Sequence, residues 1–284
     1  MSPELAPTWA EFWGGLDLFL DPILCGGAAG LTLGLIGVYV VLRRMVFVSA
    51  AITHSAGLGV AASFYGQIHL GLGQLANPFA GAFVFGMGST LLLVLRSDRA
   101  RLTHEALIGL VFIFASGAAL LVGDRISQES HDIHAVIFGT AVMVSKADLH
   151  ATLAAGLSLL LMHLWLLRGM VFASFDPESA RVQGLPVRLL DALLLLSIGL
   201  MVSVTTRALG AMPVFAFSVL PAMAALSLSR RIAFVFALAA LLGCLSAVLG
   251  YLGSFFLRFP VGASQTVVAA LFAAAGMAAG RLRR

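Results

Sequence analysis

Charged residues are scarce in this sequence, and lysine is almost absent. Only 11% of the 284 residues are charged, and Lys146 is the single lysine among 17 basic residues. Soluble domains carry about 25% charged residues. The sequence is 60% hydrophobic and has a mean hydropathy of +1.03, which excludes a soluble globular protein and indicates an integral membrane protein. The basic residues lie in short loops between apolar runs, so the net charge of +4 is not a nucleic-acid signal.

Motifs for catalysis are also missing. Lys146 lies in VSKAD, so no GxxxxGK[ST] phosphate loop exists, and we expect no ATP hydrolysis by this chain. The HE pair that begins at His104 has Ile108 where HExxH requires histidine. Cys25 and Cys244 both lie in apolar runs and are interpreted as small hydrophobic residues rather than a disulfide or a metal pair. The N-terminus is acidic and lacks a basic region, so we expect no cleavable signal peptide.

The hydrophobic runs predict an all-α, polytopic membrane protein with one transmembrane domain over 1–284. A helix of about 20 residues crosses a bilayer. The run at 133–145 is too short and is predicted to be a re-entrant or half-helix segment, while 1–21 is predicted to be an amphipathic lead at the interface. Glycines in the first span favour close helix packing. The nine predicted spans are 22–42, 45–65, 78–95, 105–122, 149–167, 189–204, 209–228, 232–253 and 261–279.

The distribution of arginine predicts the orientation. With the N-terminus outside and 133–145 not crossing, most of the 17 basic residues fall on the inside, as cytoplasmic loops prefer. The exceptions are Arg125, Lys146, Arg207 and Arg258. If the short run crossed, the loop at 168–188 would move outside. The charge bias therefore favours nine spans and a cytoplasmic C-terminus.

A histidine in the middle of the second span is the leading candidate for a functional residue. His54 lies near mid-depth, where ionisable groups are costly and usually face a pathway or a partner. The alternative interpretation is a structural role, in which the imidazole forms a hydrogen bond with Ser49 or Ser55. A second group of candidate ligands, suited to zinc, manganese or iron, lies at the start of the short run, where a solvated loop is the alternative interpretation. This group is His131, Asp132 and His134.

Five segments together resemble one family, the metal-importing ABC permeases, sometimes called the ABC-3 family. These proteins are the membrane subunits of zinc, manganese and iron importers. The resemblance covers nearly the whole chain, and its most distinctive segments are GVYVVLRRMVFVSAAITHSAGLGVA and FDPESARVQGLP. The segments that carry it are 37–61, 105–112, 137–149, 175–186 and 209–231.

The resemblance implies a metal path through the second span. In the family an aspartate usually stands four residues before the histidine, and the pair lines the path. Here the histidine is His54 and the aspartate position is Ala50, while the family's LFGD segment reads IFGT, with Thr140 in place of the acid. We therefore expect His131, Asp132 and His134 to supply further ligands. Such a histidine-weighted site favours zinc over manganese or iron as the transported ion, and no bound cofactor is expected.

The resemblance also implies partners and a location. The loop at 168–188 resembles the coupling helix that docks into an ATPase subunit, and Asp176 can cap a short helix between two prolines. The implied assembly is a homodimer in the bacterial inner membrane, with two cytoplasmic ATPase subunits and a periplasmic or lipid-anchored metal-binding protein. The residues expected to contact the ATPase are Phe175, Asp176, Pro177, Glu178, Ala180 and Gly184.

Two other functions fit a polytopic membrane protein. An ion-coupled secondary transporter would need more intramembrane acids or an inverted repeat, and neither is evident in the sequence. An intramembrane metal-dependent hydrolase would need HExxH or a paired-acid motif, and the sequence has neither. Co-purification with an ATPase and a binding protein would discriminate a permease from both.

Overall fold

The computed structural model describes residues 8–95, 103–127 and 144–282, and within these ranges the chain is built from helices. A single 3-10 turn, Gly73–Leu75, lies in the loop between the third and fourth helices. The helices are α1 (Trp9–Gly14), α2 (Leu16–Leu42), α3 (Val46–His69), α4 (Pro78–Val94), α5 (His104–Ser127), α6 (Lys146–Trp165), α7 (Leu167–Phe175), α8 (Pro177–Val182), α9 (Val187–Leu209), α10 (Ala211–Leu228), α11 (Ile232–Leu257) and α12 (Val261–Leu282).

The helices confirm the prediction of an all-α polytopic membrane protein. Within the described ranges, eight helices are long and apolar enough to cross a membrane, and α4 is a shorter apolar helix of 17 residues. These nine elements correspond to the nine predicted spans. The predicted re-entrant run at 133–145 lies outside the described residues except for its last two, Val144 and Ser145.

The start of the first span differs from the prediction. Helix α2 begins at Leu16 rather than at Pro22, and Pro22 lies inside the helix, in its second turn, where its ring removes one backbone hydrogen bond without ending the helix. The part of the lead that the structure describes contains α1, whose N-terminus is capped by Thr8 and Glu11. Phe12 of α1 is buried and stacks on Phe19 at a ring-centroid distance of 5.5 Å. Much of the predicted lead is therefore helix packed onto the bundle.

Small residues bring the central helices into contact, as the glycines of the first span predict. Helix α2 packs against α6, α10 and α11, and α3 packs against α4 and α5. A Cβ atom on Gly30 would lie 2.3 Å from the carbonyl oxygen of Gly243, so α2 and α11 touch backbone to backbone. Gly59 and Gly81 bring α3 and α4 together in the same way. Close approach of this kind maximises van der Waals packing between helices in a bilayer.

Two ion pairs mark the opposite ends of the bundle. Arg43, at the C-terminal end of α2, pairs with Asp191 near the start of α9 and donates to the Ser174 hydroxyl of α7 at 2.8 Å. Arg207, near the end of α9, pairs with Asp148 near the start of α6. Because α9 runs from one pair to the other, Arg43 shares its end of the bundle with α7 and α8.

Candidate functional site

His54 lies in the third turn of α3 and is half-buried. Its ring meets that of Phe112 of α5 edge to face, with centroids 4.9 Å apart and planes at 84°. No hydrogen bond of the imidazole occurs within the part of the chain that the structure describes. The side chain is thus held by an aromatic contact while its nitrogen atoms stay available to a ligand.

The alternative role for His54, a hydrogen bond with a nearby serine, is wrong. The Ser49 hydroxyl lies 2.6 Å from that of Ser218 on α10, and Ser55 donates to the carbonyl oxygen of Ala51 at 2.9 Å. Both hydroxyls are therefore used elsewhere. Ala50, one turn before His54 on the same helix, is 4% exposed, so its methyl group is packed among neighbouring residues.

The other predicted ligands cannot be placed beside His54. His131, Asp132 and His134 lie outside the described residues, as does Thr140. Within 8–95, 103–127 and 144–282, no group of three or more His, Cys, Asp or Glu side chains comes together. Cys25 and Cys244 are free thiols, as predicted. Among the described residues His54 is therefore the one predicted metal ligand.

The short helix predicted after Asp176 is present as α8. Asp176 is its N-cap and accepts a hydrogen bond from the Ser179 backbone at 2.9 Å. Hydrogen bonds from Ser179, first from its side chain and then from its backbone, hold the pKa of the Asp176 carboxyl below its usual range. Gly184 follows with φ +82°, a conformation that suits glycine. A short, well-capped helix is thus built on the surface between α7 and α9.

The six predicted coupling residues divide into a surface and an anchor. Phe175 is 62% exposed, which is high for an aromatic side chain. Ala180 is fully buried and fixes α8 to the bundle. The exposed members Asp176, Pro177, Glu178 and Gly184 point away from the core. Beside α8 lies a groove of about 800 Å³, lined by Arg181, Pro186, Val187, Arg188, Leu189 and Asp191.

Two acidic residues that the sequence did not single out make defined contacts. Asp191 pairs with Arg43, which also donates to Ser174 of α7, so the segment that leads into α8 is tied to the end of α2. Asp148 is 4% exposed and pairs with Arg207 at 2.7 Å. A carboxylate in an apolar run is a signal of a buried partner, but the partners lie 148 and 59 residues away in the chain.

Similarity to known proteins extends over the same helices, from α2 to α12. The sequence model described as the ABC 3 transport family matches residues 16–280. The manganese transport system membrane protein MntC of Halalkalibacterium halodurans is 32% identical over 87% of this chain and 82% of its own length. The manganese import system permease protein ScaB of Streptococcus parasanguinis is 28% identical over 92% and 91%, respectively. PsaBC from Streptococcus pneumoniae, solved in complex with a Fab, shares the fold, with a TM-score of 0.80, 24% identity and coverage of 98% of this chain and 100% of that one.

Proposed function

The chain belongs to the ABC 3 transport family, and from that premise we propose that it is the permease subunit of an ATP-driven importer of divalent transition metal ions. In such a transporter the permease is the membrane subunit, and ATP hydrolysis belongs to a separate subunit. The observation that carries the proposal is a bundle of membrane-length helices with a capped surface helix, α8, at one end. The two alternative functions, an ion-coupled secondary transporter and an intramembrane hydrolase, do not fit membership of this family.

Manganese and zinc are the two candidate ions. The names of two relatives, a manganese transport protein and a manganese permease, support manganese. The residues around His54 support zinc, because Ala50 removes the carboxylate that a hard ion such as Mn²⁺ prefers and leaves an imidazole, which suits Zn²⁺. We place manganese first on the strength of the relatives and keep zinc as the second candidate.

We propose that the ion passes along α3 at His54, at an interface between two copies of the chain. Helix α5, which supports the His54 ring, is the least buried of the membrane-length helices. It presents large exposed side chains, among them Leu110, Ile113 and Phe114, each at least 60% exposed. Burying this face against a second copy would enclose His54. His131, Asp132 and His134 are proposed to add ligands from the outer side.

We propose that α8 transmits the ATPase cycle to the bundle. The exposed Phe175 gives a partner an apolar contact, and Ala180 anchors α8 to the helices beneath. The Arg43–Asp191 pair joins this region to the end of α2, so a displacement of α8 reaches the central helices. The proposed orientation places α8 and the C-terminus in the cytoplasm. A binding protein that delivers the ion would then dock at the end that contains Asp148 and Arg207.

Uptake by the reconstituted complex tests the proposal. Vesicles with the permease, its ATPase and its binding protein are given manganese, zinc and iron in competition, with and without ATP. We expect ATP-dependent manganese uptake, and a roughly tenfold lower rate in His54→Ala, the effect of losing about 1.4 kcal/mol. His150→Ala, an exposed histidine of α6, is the matched control. Full uptake by a well-assembled His54→Ala complex would place the path elsewhere, and ATP-independent uptake would refute the importer.

A further inference from the structure

An apolar groove lies between α2, α6 and α11 and shares no residue with His54 or α8. Its volume is about 310 Å³, within the range of about 300–1,000 Å³ typical of small-molecule sites. Leu164 is 54% exposed, and Ala233 and Ala237 are exposed as well. The groove therefore opens on the outer surface of membrane-spanning helices. Its lining consists of Leu31, Leu35, Leu160, His163, Leu164, Leu167, Ala233, Phe236, Ala237 and Ala240.

His163 is the one polar side chain in this lining, and it lacks a partner. It is 1% exposed, and neither Nδ1 nor Nε2 makes a hydrogen bond with the residues that the structure describes. The ring of Tyr39 stacks beside it at 5.4 Å between centroids, and the Tyr39 hydroxyl is also buried without a hydrogen-bond partner in these ranges. A water molecule needs about two to four polar partners to be held in a cavity. Tyr39 is not part of the lining, so a water in the groove would meet His163 alone, and a ligand with one polar group in an apolar body suits the groove better.

Two arginines stand at the same end of the groove. Arg168 directly follows the lining residue Leu167, and Arg231 precedes the lining residue Ala233 by two positions. Both are exposed, and neither guanidinium group makes a hydrogen bond or ion pair within the described ranges. Phe236, which packs on Tyr39 at 4.8 Å, follows Arg231 by five residues, about 7 Å of helix. The buried polar atoms of His163 and Tyr39 thus lie deeper in the membrane than the guanidinium groups of the two arginines, by about the thickness of one headgroup layer.

We propose that this groove is a binding site for one anionic phospholipid. An acyl chain fills the apolar lining, an ester carbonyl accepts a hydrogen bond from an imidazole N–H of His163, and the phosphate lies between Arg168 and Arg231. Basic pockets between transmembrane helices are known to attract anionic headgroups. The occupant supplies the acceptor that His163 lacks and the negative charge that the two arginines lack.

Native mass spectrometry of the permease with its ATPase subunit tests the site. The complex is equilibrated in detergent with phosphatidylglycerol or phosphatidylcholine, and the lipid retained per permease chain is counted. We expect one phosphatidylglycerol to be retained in preference to phosphatidylcholine. Ala237→Phe fills the groove and should abolish retention, whereas Ala270→Phe, the same change at an exposed position of α12, should not.

Two further comparisons separate the polar contacts. Arg168→Gln and Arg231→Gln should each lower the preference for phosphatidylglycerol roughly 5-fold, while Arg281→Gln, an exposed arginine outside the groove, should leave it unchanged. Diether phosphatidylglycerol lacks the ester carbonyl, so the wild-type chain should retain the diester form about 2- to 10-fold better. His163→Phe should erase that difference.

Several results would overturn the proposal. Equal retention of both headgroups, or no effect of Ala237→Phe, would mean that the groove holds water or ordinary bilayer lipid. If Arg281→Gln lowered the preference for phosphatidylglycerol as much as Arg168→Gln and Arg231→Gln do, the preference would come from the general surface charge and not from this groove. A groove that retains no lipid while Ala237→Phe disrupts the complex would identify it as a protein interface. None of these measurements depends on metal transport.

Discussion

Arg207 of α9 donates a hydrogen bond from Nη1 to Oδ1 of Asp148 at 2.7 Å, across the interface between α9 and α6. The second carboxylate oxygen, Oδ2, accepts from the Ser145 hydroxyl at 2.6 Å. Asp148 is 4% exposed, whereas a third of the Arg207 side chain remains accessible. This pair fastens the beginning of α6 to the end of α9, at the opposite end of the bundle from Arg43.

Asp148→Asn should destabilise the chain. It leaves Arg207 facing an amide instead of a carboxylate, and loss of one partner of a fully buried pair costs about 3–5 kcal/mol. The exposed third of Arg207 is screened by solvent, so we expect about 1–3 kcal/mol. Thermal unfolding in detergent measures the change, with Asp17→Asn at the exposed start of α2 as the control. Equal midpoints for Asp148→Asn and wild type would show that the pair contributes nothing.

Gly30→Ala should weaken the contact between α2 and α11. The added methyl group would lie 2.3 Å from the Gly243 carbonyl oxygen, and such overpacking costs about 1–3 kcal/mol. Gly88→Ala on α4 is the matched control, because nothing lies within 4 Å of its added methyl group. In a helix that change is worth about 0.5–1 kcal/mol of stabilisation. The unfolding midpoints should therefore move in opposite directions, and a fall in both would refute the crossing.

Ala50→Asp should strengthen manganese transport. It places a carboxylate one turn before His54, where the two side chains face the same ligand, and carboxylate oxygen suits Mn²⁺ better than imidazole alone. We expect the KM for manganese to fall roughly tenfold relative to that for zinc, equivalent to about 1.4 kcal/mol. Ala50→Asn is the control, because asparagine has the size and shape of aspartate but carries no charge. If both variants behave alike, the added charge does not reach the ion.

The cap of α8 should respond to pH. Ser179 holds the pKa of Asp176 below its usual range, so the ionised carboxylate stabilises α8 above the unfolded pKa of about 3.9. That contribution is lost as pH falls through the lower, folded pKa. The protection factors for hydrogen exchange over 176–186, which remove the intrinsic pH dependence of exchange, should be equal at pH 7 and pH 5 and lower at pH 3, relative to those of α9. Asp176→Asn keeps an acceptor without the charge and should remove the dependence. An unchanged profile in this variant would contradict the assignment.

The sequence was informative where a property depends on local composition. The apolar runs predicted the spans because a bilayer demands about 20 apolar residues wherever a helix crosses. Asp176, its flanking prolines and Gly184 predicted α8, because caps and turns depend on near neighbours. The error at Pro22 arose because a proline inside a helix removes one backbone hydrogen bond but does not by itself mark where the helix begins. His54 could be selected as a candidate from the sequence because its depth follows from the span alone.

The partners of these residues depended on tertiary structure. Ser49 was available to His54 by sequence, yet its hydroxyl is engaged by Ser218, 169 residues away. Arg43 meets Asp191, and His163 is left without a partner, because of how α2, α6, α7 and α9 pack around them. The composition of this chain determines that it spans a membrane, and the positions of its apolar runs determine where its helices lie. Only the packing of those helices determines which buried polar groups are paired, because each pair joins segments whose separation in sequence carries no information about their distance in space.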